Sequence, residues 1–367
     1  MKTVRLLRTG SHPVTDGLFQ AVEAHFSTRP QYEVLKGDEG PADVVLAFMP
    51  SGDDLANLKV ERRSYQDFIG FFFIDKNVEA EGEKVVRAYE IGLQIMANLA
   101  GYIELEGDGP YDYTMTMITP ERGHEVLKGS PEAGAELSDL LVRRSDVVYV
   151  DENVVHTDLS EDLIPGTDVT RAMQEMAVRL DSLDLVPSAV PLDGLSDKQR
   201  RRFFKVLGLK QVSYGNMSAR HDAERFWMTG RGVNKAKLEI IGRDIILVTN
   251  FDREEGKIHL TVPPDQEDAR VSIDSSIHAA IYDAFPDVGA MIHIHSFVDN
   301  VVYTDDHYPC GTRELCDSTI DALKLTEDPN RTILGLANHG ILVTGADLEE
   351  AWAQIEARLS ELVPAGS

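Results

Sequence analysis

The first part of the chain switches repeatedly between a two-residue and a helical hydrophobic period. Residues 4–8 alternate into a short strand, and Thr9-Gly10-Ser11-His12-Pro13 breaks it. Residues 16–27 then set Leu18, Phe19, Val22 and Phe26 on one helical face. The pattern predicts further strands at 32–35, 42–48, 68–75, 113–118 and 147–150. It predicts a long amphipathic helix at 81–104 and shorter ones at 132–142 and 169–183. Strands alternating with helices imply an open, largely parallel sheet, so residues 1–186 read as a separate Rossmann-like α/β domain. Pro187 and Pro191 resist both helix and central strand, which makes 187–194 a linker. Leu195-Ser196-Asp197-Lys198 then opens a helix with a Ser or Asp cap, the start of a second domain over 195–367.

Chemistry concentrates in that second domain. Met291-Ile292-His293-Ile294-His295 is a short apolar run after Pro286-Asp287 and reads as a strand. On a strand, residues i and i+2 face the same side, so His293 and His295 present their rings to one point. Another strand, Thr332-Ile333-Leu334-Gly335, leads into Asn338-His339-Gly340 and brings a third imidazole. Three nitrogens with coordination positions left open suit a catalytic divalent metal, whereas a structural zinc site closes with four ligands. Taken alone, a His-x-His strand is equally compatible with two packed, hydrogen-bonded histidines.

The segments around these histidines settle the reading by resemblance. In order, the chain carries Tyr214-Gly215-Asn216-Met217-Ser218-Ala219-Arg220, Thr229-Gly230-Arg231-Gly232, His278-Ala279-Ala280-Ile281-Tyr282, His293-Ile294-His295, Gly311-Thr312-Arg313-Glu314-Leu315 and Asn338-His339-Gly340. This series resembles the GN-x-S-x-R, T-x-x-G, H-x-x-x-Y, H-x-H, GT-x-EL and HG signatures of the class II aldolase/adducin family. The likeness covers roughly residues 195 to the end. It implies a three-layer αβα domain, metal ligation by His293, His295 and His339, and a homo-oligomer. Where the sugar-phosphate aldolases carry Ser-Ser-Glu, for phosphate and acid/base work, this chain has Ser272-Ile273-Asp274. Arg231 also stands where a small hydroxyl residue is usual.

Composition narrows the partners. Asp and Glu number 62 against 36 Lys and Arg, a net charge of −26 spread along 367 residues. A field of that sign repels phosphate backbones and anionic leaflets, which argues against nucleic acid and membrane partners. The start Met1-Lys2-Thr3-Val4-Arg5 lacks the apolar core of a signal peptide, and no apolar run approaches the ~18 residues that span a bilayer. Cys310 and Cys316 complete no zinc motif and read as free thiols in a reducing cytoplasm, with Cys310 beside the Gly311-Thr312 signature. Gly10-Ser11-His12 follows the first strand, but no phosphate-binding glycine motif accompanies it, and a plain turn is the better reading.

The expected activity is that of a metal-dependent lyase, acting through an enediolate on a small oxygenated molecule. The cofactor is a divalent ion, zinc first, with manganese, cobalt or iron as alternatives. Asp274 is the candidate base, unless it serves as a helix cap instead; Tyr308 is the candidate proton donor, with Tyr303 and His307 behind it. Asn216, Ser272 and Arg231 are the candidate substrate-binding residues. A guanidinium can grip a carboxylate bidentately, so the substrate is expected to bear one, unless Arg231 is spent on a neighbouring acid. His278 reads as a buried structural residue. Two other classes use the same histidines differently: a non-heme Fe(II) oxygenase, and a non-catalytic adducin-like binding protein.

Overall fold

The computed structural model describes residues 1–37, 40–52, 60, 62–64, 66–74, 91–92, 96–119, 124–183, 201, 215–234 and 236–364. The expected linker, the helix opening at 195, Tyr214 and most of the helix expected from 81 lie outside these residues. The chain divides into two compact units. One includes Met1–Asp146, and the other is built from Val147–Pro187 with Leu209–Ser367. The division thus falls well before the expected linker.

In the first unit a seven-stranded sheet runs in the order β2-β1-β3-β4-β5-β6-β7. Its strands are β1 (Lys2–Arg8), β2 (Tyr32–Val34), β3 (Val44–Met49), β4 (Phe68–Ile74), β5 (Leu99–Leu105), β6 (Tyr113–Ile118) and β7 (His124–Lys128). The first five pair in parallel, and β6 and β7 close one edge antiparallel. Every residue of β3 and β4 is buried, as unbroken apolar runs in a covered parallel sheet require. Helices α1 (Pro13–Ser27) and α2 (Ala133–Ser145) pack Val14, Leu18, Val22, Phe26, Leu137 and Leu141 into the same core. Residues 99–105, expected as the end of a helix, are a strand. Gly101 permits it, because a Cβ there would lie 2.4 Å from the Phe72 ring of the adjoining β4.

The second unit holds a nine-stranded sheet in the order β15-β16-β17-β13-β9-β10-β11-β12-β8. Here β8 is Glu152–His156, β9 Gly215–Arg220, β10 Phe226–Thr229, β11 Ile245–Asp252, β12 Lys257–Thr261 and β13 Ala290–Ile294; the two-residue β14 (Ser296–Phe297) lies outside this sheet, and β15 (Val302–Tyr303), β16 (Ile333–Leu336) and β17 (Gly340–Gly345) complete it. Only β15 with β16 and β12 with β8 pair in parallel. Alternate residues of each strand feed two cores. Met217, Trp227, Leu247 and Ile292 meet α3 (Asp168–Asp181) and α6 (Leu348–Glu356) on one face. Phe226, Met228, Ile246 and Met291 meet α4 (Ser275–Ala284) and α5 (Arg313–Leu323) on the other. Helices therefore cover both faces.

Residues 147–183 belong to this unit because β8 adds to the edge of its sheet beside β12 and α3 buries Met173, Met176 and Leu180 in its core. The expected strand at 147–150 is reduced to a single antiparallel bridge, Tyr149 with Thr312. Among the described residues no helix is long and apolar enough to cross a membrane.

One contact sets how closely the central strands approach. Gly215 has φ +131°, and a Cβ on it would sit 1.9 Å from the carbonyl oxygen of His293. Gly215→Ala should cost at least ~2 kcal/mol through backbone strain and overpacking together. Urea unfolding would read this directly, and an unchanged midpoint would mean that β9 can move aside freely.

Candidate metal centre

The three histidines meet where β13 ends. His293 points with Met291 toward the α4/α5 face of the sheet, since Ile292 and Ile294 supply the opposite core. His295 follows the strand end. His339 arrives on the turn between β16 and β17, where Asn338 takes a left-handed φ of 55°. That turn lies against β13 because Gly340, at φ +148°, has no Cβ; one would fall 2.3 Å from the Ile294 carbonyl oxygen. His307 braces the same turn through Nδ1, 3.0 Å from the Ala337 carbonyl.

The resulting cluster is compact and buried. Ring centroids lie 4.8 Å apart for His293–His295, 4.8 Å for His293–His339 and 5.1 Å for His295–His339. Their ligand nitrogens fall within 4.8 Å of one another. His293 Nδ1 donates to the Ile341 carbonyl at 2.9 Å, a tautomer in which Nε2 would be the nitrogen offered to an ion. Three imidazoles so oriented are the donor set of an open divalent site, and the residues present fit such an ion.

Asp274 stands at the N-cap position of α4, yet its side chain makes no capping bond. Its Oδ2 instead accepts from Asn216 Nδ2 at 2.6 Å, and Asn216 sits opposite His293 in the β9/β13 register. Among the described residues Oδ1 has no hydrogen-bond partner. Asp274, Cys310 and His339 form a second group whose ligand atoms lie within 4.8 Å. Burial alone would push the Asp274 carboxyl up, but the His293 and His339 imidazoles and the Cys310 thiol outweigh it and hold the group below the ordinary carboxylate range. Cys310 Sγ is 3.4 Å from His339 Nε2. Cys316 is buried elsewhere, its thiol pushed up to about 12 by desolvation.

The signature residues His278, Ser218, Tyr282 and Arg220 interlock α4 with β9. His278 Nδ1 lies 2.7 Å from Ser218 Oγ, which lies 2.9 Å from the Tyr282 hydroxyl. Arg220 stacks on the Tyr282 ring at 4.4 Å and donates to the Tyr282 and Val288 carbonyls. This lock is what holds Asp274, at the start of α4, against Asn216.

Ser272 is buried in the turn before α4, its amide donating to the Thr229 carbonyl. Tyr308 packs against the apolar cluster beneath α4 and α5. Tyr303 is tied by its hydroxyl to the Val298 carbonyl at 2.9 Å. Arg231 Nη2 donates to Asp151 Oδ2 at 2.9 Å, and its Nε to the Val271 carbonyl at 3.2 Å. Asp151 is absent from the sequence-based set. It lies 80 residues before Arg231, within a segment assigned to the other domain, and no local pattern marks it.

Burial lowers the His278 pKa to about 4. The unfolded chain, with an ordinary value of 6.5, therefore binds this proton first on acidification. Its contribution is complete above 6.5 and is lost as the pH falls toward 4, about 3 kcal/mol in all. His278→Asn should flatten the stability profile across that window in chemical denaturation. A variant with the native slope would assign the acid sensitivity elsewhere.

The model of the class II aldolase and adducin N-terminal domain matches residues 200–298 and 296–358. Methylthioribulose-1-phosphate dehydratase of Microcystis aeruginosa is 30% identical over 168 residues, 45% of this chain and 72% of that protein. The enzyme of the same name from Leptospira biflexa is 29% identical over 139 residues, and the chain spans 62% of its length. Among solved structures, an L-fuculose 1-phosphate aldolase aligns at 18% identity and a TM-score of 0.36, over 53% of this chain and 82% of that one. The Thermus thermophilus L-fuculose-1-phosphate aldolase gives 17%, 0.34, 53% and 90%. With the family model matched through every signature segment from Asn216 to His339, and the Microcystis aeruginosa relative covered over most of its length, the chain belongs to the class II aldolase and adducin family.

Proposed function

We propose that this protein is a metal-dependent lyase acting on a small oxygenated molecule through an enediolate, as a homo-oligomer. The observation that carries this reading is the convergence of three buried imidazoles beside a buried, anionic Asp274. His293, His295 and His339 would hold the ion, zinc by the character of its donors. When bound, a divalent cation polarises a substrate oxygen and acidifies the neighbouring C–H.

The chain's own residues supply the rest. Asp274 is ionised at neutral pH, so it can take a proton from carbon. Asn216, bonded to Oδ2, fixes the plane of the carboxylate and leaves Oδ1 to receive that proton. The electron pair left on carbon spreads onto the adjacent oxygens, and a leaving group then departs. The dehydratase names among the relatives favour loss of water over cleavage of a carbon–carbon bond as this second step. Burial of the whole set excludes bulk water from the reacting carbon. For the first unit, the all-parallel order β2-β1-β3-β4-β5 supports a Rossmann-like reading.

Two variants separate metal binding from proton transfer. His293→Ala should lose nearly all bound metal by elemental analysis while keeping its circular dichroism, since the ligand is not part of either apolar core. Retention of one ion per chain would sink the ligand assignment. Asp274→Asn should keep the metal and lose ~10²- to 10⁴-fold in turnover, the usual worth of a positioned base. Turnover within a few-fold of the native enzyme would remove Asp274 from the mechanism.

A further inference from the structure

The segment before β8 precedes the residues that match the family, yet it is laced into the second unit beside the metal centre. Val150 donates its amide to the Gly311 carbonyl at 2.7 Å, and Arg313 donates back to the Val148 carbonyl at 2.9 Å. Asn153 Oδ1 accepts from the Val271 amide at 2.9 Å, so the segment also grips the turn that leads into Ser272-Ile273-Asp274. Between these two anchors lies Asp151, 4% exposed, in an ion pair with Arg231.

Asp151 lies beside the two turns that lead to the candidate site. Gly311 turns at φ +75°, and a Cβ there would lie 3.0 Å from Asp151 Cβ and 2.9 Å from Ile273 Cγ1. Ile273 adjoins Asp274, and Gly311 adjoins Cys310, whose sulfur touches His339. The guanidinium that sequence alone offers to a substrate anion is thus already held by an internal carboxylate and a backbone carbonyl. An anionic substrate group would meet a guanidinium whose charge Asp151 already balances, and would compete with that buried carboxylate for it, a costly exchange. A hydroxylated end brings no charge of its own and can hydrogen-bond to the pair without separating it. Discrimination of this kind works by penalising the wrong ligand.

We propose that Asp151 is a specificity-determining residue: by neutralising Arg231 it turns this wall of the pocket toward an uncharged, hydroxyl-bearing substrate end and against a carboxylate or phosphate. It rests on the lyase reading for the location of the pocket, and it replaces the expectation that Arg231 grips a substrate carboxylate.

Binding of methyl phosphate to the zinc-loaded, full-length protein tests this without reference to turnover, so loss of the lyase reading would not disturb the outcome. Calorimetric titration compares the native chain, Asp151→Asn and the doubly substituted Asp151→Asn/Arg231→Gln. Freed of its carboxylate, Arg231 in Asp151→Asn should bind the anion at least tenfold more tightly than the native chain, and the gain should vanish in the double variant. The double variant, which replaces a neutral pair by a neutral pair, should match the native affinity within about twofold. This arm stands even where Asp151→Asn alone folds poorly. Tenfold weaker binding by the double variant would make Arg231 a working anion anchor and overturn the proposal. So would an Asp151→Asn protein no tighter than native.

Discussion

Strand β13 is pinned between two backbones that approach it more closely than any side chain would allow. On one side Gly215 of β9 lies against the His293 carbonyl, and on the other Gly340 lies against the Ile294 carbonyl. These contacts explain why the metal cluster is compact. The first draws Asn216 level with His293, and the second draws the β16–β17 turn in until His339 stacks on His293 with rings 6° from parallel. A methyl group at either glycine would separate strands that must bring imidazoles from different parts of the chain to one point. The histidines supply donors, but the glycines set the distances between them.

A second constraint acts on charge. Asp274 is buried, and an isolated buried carboxylate would take up a proton. It stays anionic because the imidazoles, the Cys310 thiol and Asn216 surround it. The position of that carboxylate depends in turn on a lock with no chemical role of its own. His278, Ser218, Tyr282 and Arg220 clamp α4 to β9, and α4 carries Asp274 at its first turn. Burial keeps His278 neutral over the physiological range. The signature motifs therefore split by task. One subset gathers the buried imidazoles and the carboxylate, and the other fixes the scaffold between them.

How much of this was legible beforehand follows the range of the interactions. The strand at 113–118, the helices near 13–27, 133–145 and 168–181 and the His-x-His strand all declare themselves by local period. The last residues of the helix expected through 104 form a strand instead, because Gly101 and its neighbours answer to Phe72 on the next strand, which no window along the chain can see. β8 was missed for the same reason: its partner β12 lies about 100 residues away, and only pairing makes Glu152–His156 a strand. For the site, His293, His295, His339 and Asp274 could be chosen from residue type and motif. Arg231 was visible as a cation, but the residue that decides its role was not. Asp151 carries no local signal, and the proline-rich stretch after 186 drew the domain boundary away from it.

That displaced boundary bears on function. If 147–183 were part of a separate domain, the second unit's sheet would end at β12 and the turn at Gly311 would face no Asp151. As the chain folds, the edge strand extends the sheet and sets a carboxylate beside Arg231 and the Gly311 turn in the same stroke, because β8's register on β12 places residue 151 just before the strand begins. A change of specificity made this way leaves the ligands and the base untouched. It needs only an edge strand long enough to hold register, a carbonyl at Gly311 to anchor it, and a glycine there small enough to admit the aspartate. The strand is held there because a sheet edge offers hydrogen bonds to an extended segment that reaches it. Arg231 is thus engaged from outside the motif-bearing residues, while the buried histidine cluster stays under the geometric control of Gly215 and Gly340.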